Sequence, residues 1–583
     1  MALFLNMKFP KQGIIKATAA ITAVSMLSGC GLFTKHSAQI QTGEQSDRKT
    51  VPFEQMEIHE PNTQEILKEI ESLTAQIDQC KTAKELLEKE EKLSEMTTQF
   101  STSSSLADLK SYLNSSDPEM RKLSETFSVE GEQISSAVNE YLRKVMESPL
   151  KDEYRKEMGE YISSQIDKQL KTDSPEAIEP MQKWHELNNQ YNDRLSNLRV
   201  EVDGKQMRIE EVMEDSSFTG EQLYKIVGDY YLGNYEEFAN LYLDMIKLDK
   251  QAAKACGYDD AVQWRYDSFG RDYTPEDSEK MFGEIKKWFV PWMDQAEYTD
   301  VMSMPVPQEE GVQKVKELVS THDPLLKEVW DFMEKNNVFS FEAAEDKMSG
   351  IAFTMHLDEY DTPFVYSYWS GSLKDAFTAV HEFGHAVDNY TQFENEAYST
   401  DLDKAETFSQ GLEQILQQKV AKAVGADPQE VMQAVRMDMV EAITYQAALE
   451  EFQIKAYRLD DNATADDLAE LYADILSEYG FYSIFGDYDP TWFEVTHLFD
   501  APFYTMSYVT SATAAVELGR MEAEKEGAGF KAWMNLLKTD RNQSFEDFLK
   551  AAGIASPFDK GRIQECGEFL KKNLVKPGLK KAA

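Results

Sequence analysis

The feature that most constrains this chain is HEFGH at residues 381–385, inside the stretch TAVHEFGHAVDNY. Ser372 and Asp375 ahead of it form the S-x-x-D pattern of a capping box, which predicts a helix starting near residue 373. On that helix His381 and His385 stand about 40° apart around the axis and one turn apart along it, so both imidazoles reach one ion. Glu382 sits beside them, where a carboxylate can take a proton from water activated by the ion. Gly384 costs about 1 kcal/mol against alanine in a helix interior. That cost makes sense if a second helix must come close there with another ligand. The chain holds 8 histidines, and in this composition chance gives such a pattern only roughly 0.02 times.

The spacing is that of a catalytic zinc centre, which takes three protein ligands and leaves one position open. A histidine six residues after His385 would supply the third ligand in one class, but that position is Thr391, so the class is excluded. Glu396 comes too soon after His385 to leave room for a turn and a packed antiparallel helix. Glu406 opens a helical stretch whose apolar side is Phe408, Leu412, Ile415 and Leu416. Glu413 lies two turns further on the same face, where it can orient a ligating histidine through hydrogen bonding. Near the C-terminus, in HLFDAPFYTMSY, Asp500 and Pro502 read as the cap and first turn of another helix. Tyr504 and Tyr508 then share a face, with His497 just ahead of the helix.

HEFGHA followed by ETFSQGLE resembles the thimet oligopeptidase and oligoendopeptidase F family of zinc peptidases, whose pattern is HExGH and then a helix bearing E-x-x-S-x-x-x-E. TPFVYSYWSGSLKDAFTAVHE is similar to that family's strand and glycine lead into the zinc helix. ACGYDDAVQWRYDSFGRDYTPED is similar to its upstream segment, and VTHLFDAPFYTMSYVTS to its C-terminal His and Tyr segment. The resemblance runs from about residue 195 to 570, more weakly through the N-terminal helices, and is nearest to the oligoendopeptidase F branch. It implies one zinc ion held by His381, His385 and Glu406, with Glu382 as general base. It also implies that His497, Tyr508 and Tyr504 donate hydrogen bonds to the scissile carbonyl as it becomes an oxyanion. A mainly α, two-lobed fold follows, with a small β element beside the zinc helix and a deep channel that admits oligopeptides. Two departures stand out: a shorter link between His385 and Glu406, and Asp388 where many members carry a histidine.

Acidic residues outnumber basic ones 104 to 60, for a formal charge of −44, which argues against a nucleic-acid partner. The N-terminus carries Lys8, Lys11 and Lys16, then an apolar run from Ala17 to Leu27 that is too short to span a bilayer. It ends in LSGC. That reads as a signal peptide over 1–29 and a lipid-accepting Cys30, hence an exported protein anchored to the membrane of a bacterial envelope. The other cysteines, Cys80, Cys256 and Cys566, have no metal-type spacing and read as ordinary thiols.

Residues 30–58 read as a polar tether and 59–195 as an N-terminal helical domain with apolar residues at three- and four-residue steps. The catalytic domain is expected over 196–575. Val200 and Val202, the turn Asp203-Gly204, then Met207 and Ile209 predict a β-hairpin. The stretch 363–369, with Phe364, Tyr366 and Tyr368 on one face, reads as a strand whose edge could take an extended peptide. The function expected is hydrolysis of internal bonds in oligopeptides outside the cytoplasm. The alternatives are a helical zinc dipeptidyl or carboxypeptidase, and an inactive peptide-binding lipoprotein.

Overall fold

The computed structural model describes residues 49–215, 217–296, 299–391 and 401–574. Cys30, the 1–29 leader and Glu396 lie outside them. Long amphipathic helices begin where the sequence supplies caps. Asp117 precedes Pro118 and accepts from the amides of Glu119 and Met120, starting the helix Pro118–Glu147. Thr82 accepts from Glu85 N and starts Ala83–Leu113. Ile66, Ile70 and Leu73 of Thr63–Gln76 pack with Leu86, Leu93, Phe127, Ile134 and Ile166 into one apolar core within the N-terminal helices.

Two larger cores make up the rest. One gathers Trp184 and Tyr191 of the helix Ile178–Asn197 with Gly220–Ala255, Pro428–Tyr457 and Ala465–Glu478. The helix Ile178–Asn197, read from sequence with the N-terminal unit, therefore packs into this core. The other is built around a small sheet and the helices Leu373–Thr391 and Leu402–Val424. The helix Thr505–Glu524 belongs to both: Val509 and Ala515 enter the first, Ala514 and Leu518 the second. Among the described residues no helix is long and apolar enough to cross a membrane. Cys80, Cys256 and Cys566 are free thiols.

The predicted hairpin forms as β1 (Val200–Val202) and β2 (Lys205–Met207), with Asp203 and Gly204 at φ 51° and 77°. Ile209 is not part of it and opens the short helix Ile209–Glu214. The second sheet has the order β3 (Phe339–Ser340), β5 (Thr362–Ser367), β4 (Ala352–Leu357). Strand β5 pairs parallel with β3 and antiparallel with β4, and every residue in it is buried. It is thus the central strand and offers no edge to a peptide, which corrects the sequence expectation. Its side chains are buried on both faces, with Phe364 and Tyr366 on one of them, and β4 is an outer strand of the sheet.

Residues 49–58, read from sequence as the end of a tether, pack against the body. Met56 is buried, the Phe53 ring lies 4.7 Å from that of Phe364, and Thr50 Oγ1 donates to the Tyr360 carbonyl at 3.0 Å. Residues 49–58 are fastened to the body by apolar and side-chain contacts too short to show periodicity.

Candidate metal centre

The helix Leu373–Thr391 starts as its capping box predicts. Asp375 Oδ2 accepts from Ser372 N at 2.7 Å and from Gly371 N at 2.9 Å. This cap fixes the phase of the helix, so His381 and His385 turn toward Leu402–Val424. A Cβ placed on Gly384 would sit 2.8 Å from Ser409 Cα and 3.0 Å from the Phe408 carbonyl oxygen. The absent side chain lets the second helix approach, and Glu406 stands one turn before Ser409.

His381, His385 and Glu406 each offer one atom, all within 4.8 Å of one another. Glu406 Oε2 lies 3.5 Å from His381 Nε2 and 3.9 Å from His385 Nε2. Tetrahedral zinc with bonds of about 2.0–2.2 Å requires ligand separations of about 3.3–3.6 Å, so the donor set fits such an ion after small adjustments. His381 uses its other nitrogen: Nδ1 is 2.6 Å from Glu413 Oε1, which directs Nε2 toward the ligand cluster. Ser409 Oγ donates to Glu406 Oε2 at 3.2 Å.

Electrostatics follows these contacts. Burial raises the Glu406 carboxyl, but the His381 bond and the two imidazoles prevail and bring it down to about 2. Burial pulls His381 down, yet its bonds to Glu406 and Glu413 hold it well above the ordinary histidine value. His385 has weaker compensation, and burial brings it to about 4. Glu382 is pushed up to about 7 by burial, against the pull of His381 and a 2.8 Å hydrogen bond donated by Thr354 Oγ1. Thr354 also donates to the Glu382 carbonyl at 3.0 Å. It belongs to β4, so the sheet edge and this carboxylate are joined directly. Nothing in the sequence around Thr354 marks it; only strand pairing brings it here.

The structure brings His497, Tyr504 and Tyr508 together. Ring centroids are 5.2 Å apart for His497–Tyr504, 6.1 Å for His497–Tyr508 and 5.1 Å for Tyr504–Tyr508. Both His497 ring nitrogens and the Tyr504 hydroxyl are buried without a hydrogen-bond partner among the described residues. Burial alone brings His497 down to about 4, so it is neutral at ordinary pH. Tyr508 is half-buried and Tyr504 fully buried. The Tyr508 hydroxyl is held well up by burial, then by its neighbours Tyr504, Glu406 and Glu382.

The expected cap at Asp500 is not there. His497–Asp500 is itself a short helical turn, and the long helix starts only at Thr505. The Asp500 carboxylate accepts instead from Asn188 Nδ2 at 2.8 Å and Asn192 Nδ2 at 2.9 Å. Asp388, where the family often has histidine, is paired with Arg541, whose guanidinium lies 4.1 Å from the Phe408 ring centroid.

An H-E-x-x-H helix answered by a glutamate from a neighbouring helix, on a mainly helical frame, is the construction of a metallopeptidase. Residues 53–173 match the peptidase M3 N-terminal domain and residues 321–568 match peptidase family M3. Together these matches take in more than half of the chain, and the chain belongs to peptidase family M3. The chromosomal oligoendopeptidase F of Lactococcus lactis subsp. cremoris is 29% identical over 214 residues, 34% of this chain and 33% of that protein. The match spans about a third of the length of such curated relatives. Among solved structures, PZ peptidase A with inhibitor 2 superposes with a TM-score of 0.75 at 19% identity, covering 89% of this chain and 98% of that one. A putative oligoendopeptidase F from Bacillus anthracis str. Ames does so at 0.72 and 18%, covering 90% and 98%. These likenesses show a shared fold.

Proposed function

We propose that this protein is a zinc-dependent endopeptidase that hydrolyses internal bonds of oligopeptides. The observation that carries the reading is the convergence of His381, His385 and Glu406 within 4.8 Å, beside the Glu382 carboxylate. His381, His385 and Glu406 would hold the ion, and Glu413 orients His381. When bound, zinc supplies Lewis-acid polarisation of the peptide carbonyl and acidifies water.

The chain's own groups do the rest. Glu382, steadied by Thr354, accepts the proton of the attacking water and passes it to the leaving amine. Tyr508, with Tyr504 and His497, donates to the carbonyl oxygen as negative charge develops there. Tyr508 leads because it is the more open of the two tyrosines. The unpartnered Tyr504 hydroxyl and the single N–H of the neutral His497 ring are donors of the kind that charge needs. An extended substrate would lie along β4, whose Thr354 touches Glu382, in a channel between the two larger cores. By the leader at 1–29 and the LSGC stretch, the enzyme is exported and lipid-anchored at Cys30 to the outer face of the cell membrane.

The test is mass-spectrometric mapping of cuts in a library of peptides blocked at both ends, with bound zinc counted in the same preparation. Internal cuts are expected. Cleavage confined to free termini would make the enzyme a dipeptidyl or carboxypeptidase, and zinc without turnover would leave a binding protein.

A further inference from the structure

The loop between the helices Ala261–Ser268 and Pro275–Trp288 carries three consecutive side chains that reach three separate parts of the molecule. Arg271 Nη2 donates to the Phe503 carbonyl at 2.6 Å and to Ser507 Oγ at 3.3 Å. Asp272 Oδ2 accepts from Phe545 N at 2.6 Å. The Tyr273 hydroxyl donates to Asp403 Oδ2 at 2.8 Å. Asp403 lies in the first turn of the helix that carries Glu406, three residues before it. Phe503 immediately precedes Tyr504.

Phe503 has φ 73°, a left-handed backbone that a bulky residue adopts only when its surroundings force it. Both of its peptide groups are held. The amide donates to Gln453 Oε1 at 2.9 Å, and the carbonyl takes the Arg271 bond. Glu450 completes the frame: it accepts from Thr505 Oγ1 at 2.6 Å and from the Tyr266 hydroxyl at 2.8 Å, and lies 3.6 Å from Arg271 Nη1. Arg271, Glu450, Gln453 and Asp403 are all buried. The strained turn sets where the next helix begins and therefore where the Tyr504 and Tyr508 hydroxyls point.

We propose that Arg271 and Tyr273 are positioning residues: one short loop fixes the Phe503 turn with one side chain and the Glu406 helix with the next, setting the tyrosine hydroxyls against the metal ligands. This rests on the reading of Tyr508 as a donor to the substrate carbonyl. Neither residue needs to touch substrate. A small displacement is enough to matter, since a shift of about 1 Å caused far from the chemistry can cost about 10²-fold in rate.

The experiment compares Arg271→Lys and Tyr273→Phe, each alone and combined with Tyr508→Phe, in the full chain. It measures kcat and KM on one quenched-fluorescent peptide, bound zinc and melting temperature. Arg271→Lys should lower kcat about 10²-fold and Tyr273→Phe about tenfold, with KM changed by less than about threefold and zinc retained. In the Tyr508→Phe background both losses should shrink to less than about threefold, because the leading hydroxyl is gone and only the lesser one of Tyr504 remains to be misaimed. Tyr273→Phe removes only a hydroxyl and keeps its ring beside Phe558, at 4.7 Å between centroids, so it remains decisive should Arg271→Lys fail to fold. Losses that multiply with that of Tyr508→Phe, or a lowered melting temperature with normal kcat, would overturn the positioning role alone. A normal kcat for Tyr508→Phe by itself would overturn the tyrosine reading and this proposal together.

Discussion

The two sides of the candidate centre are built on opposite principles. On the metal side three of the four functional groups are answered by hydrogen-bonding partners: His381 by Glu413, Glu406 by His381 and Ser409, Glu382 by Thr354, while His385 lies 3.9 Å from Glu406. On the other side, His497 has two buried ring nitrogens and Tyr504 a buried hydroxyl with no partner among the described residues. Buried polar groups are nearly always satisfied, so a cluster of exceptions calls for a reason. The difference teaches that the metal side is arranged to hold charge that is already present. The tyrosine side holds neutral donors suited to charge that appears only during a reaction, as preorganised stabilisation requires.

The largest expected effect lies on the metal side. Glu382→Gln keeps the shape and leaves His381, His385 and Glu406 in place, so zinc content should stay normal. Turnover should fall by about 10⁴, the upper end of what general acid–base groups contribute. A variant that keeps more than a few per cent of wild-type kcat would remove Glu382 from its role and the main asymmetry with it.

The next effect probes the other side. Tyr508→Phe removes one hydroxyl at nearly constant volume, so fold and zinc should survive. Losing a donor to a developing oxyanion costs about 10²–10³ in kcat, with KM changed much less. Tyr504→Phe should lose less, since Tyr504 is the more deeply buried. A Tyr508→Phe enzyme with near-normal kcat would mean that the ring only packs, and would leave His497 and Tyr504 to meet the carbonyl.

The two sides were also unequally legible in the sequence. His381 and His385 declare themselves through a spacing that one helix turn imposes, and Glu406 and Glu413 through the phase of the next helix. Gly384 was readable as a misfit, and its packing against Ser409 gives the reason. Local rules suffice there because each inference concerns one helix or one close approach. The hairpin at Asp203-Gly204 is legible on the same ground. The tyrosine side depends on a left-handed phenylalanine held by Arg271 and Gln453 from distant segments, and no local pattern announces it. The Asp500 cap failed for that reason: the turn places the helix start at Thr505 and gives the carboxylate to Asn188 and Asn192. Strand β5 was recognisable as a strand, but its central place depends on pairing with both β3 and β4.

A third test asks how much the answered contacts on the metal side are worth. Glu413→Ala takes the partner from His381 Nδ1 and frees the ring to rotate. Partners of this kind typically contribute 10- to 100-fold in metal affinity, and at 2.6 Å the effect should lie near about 10². Competition for zinc against a chelator of known affinity measures it. An unchanged affinity would mean that packing alone sets the imidazole and that the hydrogen bonds of this side are incidental.

The smallest effect concerns the unanswered imidazole of His497, and its sign is fixed. Burial holds His497 down at about 4, while in the unfolded chain it returns to an ordinary value near 6.5. Between those values the unfolded state binds more protons than the folded one, so stability must fall as pH drops from about 6.5 toward 4 and is fully present above that window. From pH 7 to 4.5 this one residue should cost the wild-type chain about 2 kcal/mol. His497→Asn removes the titrating group, and the difference between variant and wild type isolates it from the chain's other histidines. Urea unfolding of both proteins at the two pH values gives that difference directly. Wild type should lose more stability than the variant on acidification. Equal losses would mean that His497 gains a proton as readily folded as unfolded. The contrast between a charged, answered side and a neutral, unanswered one would then rest on Tyr504 and Tyr508 alone.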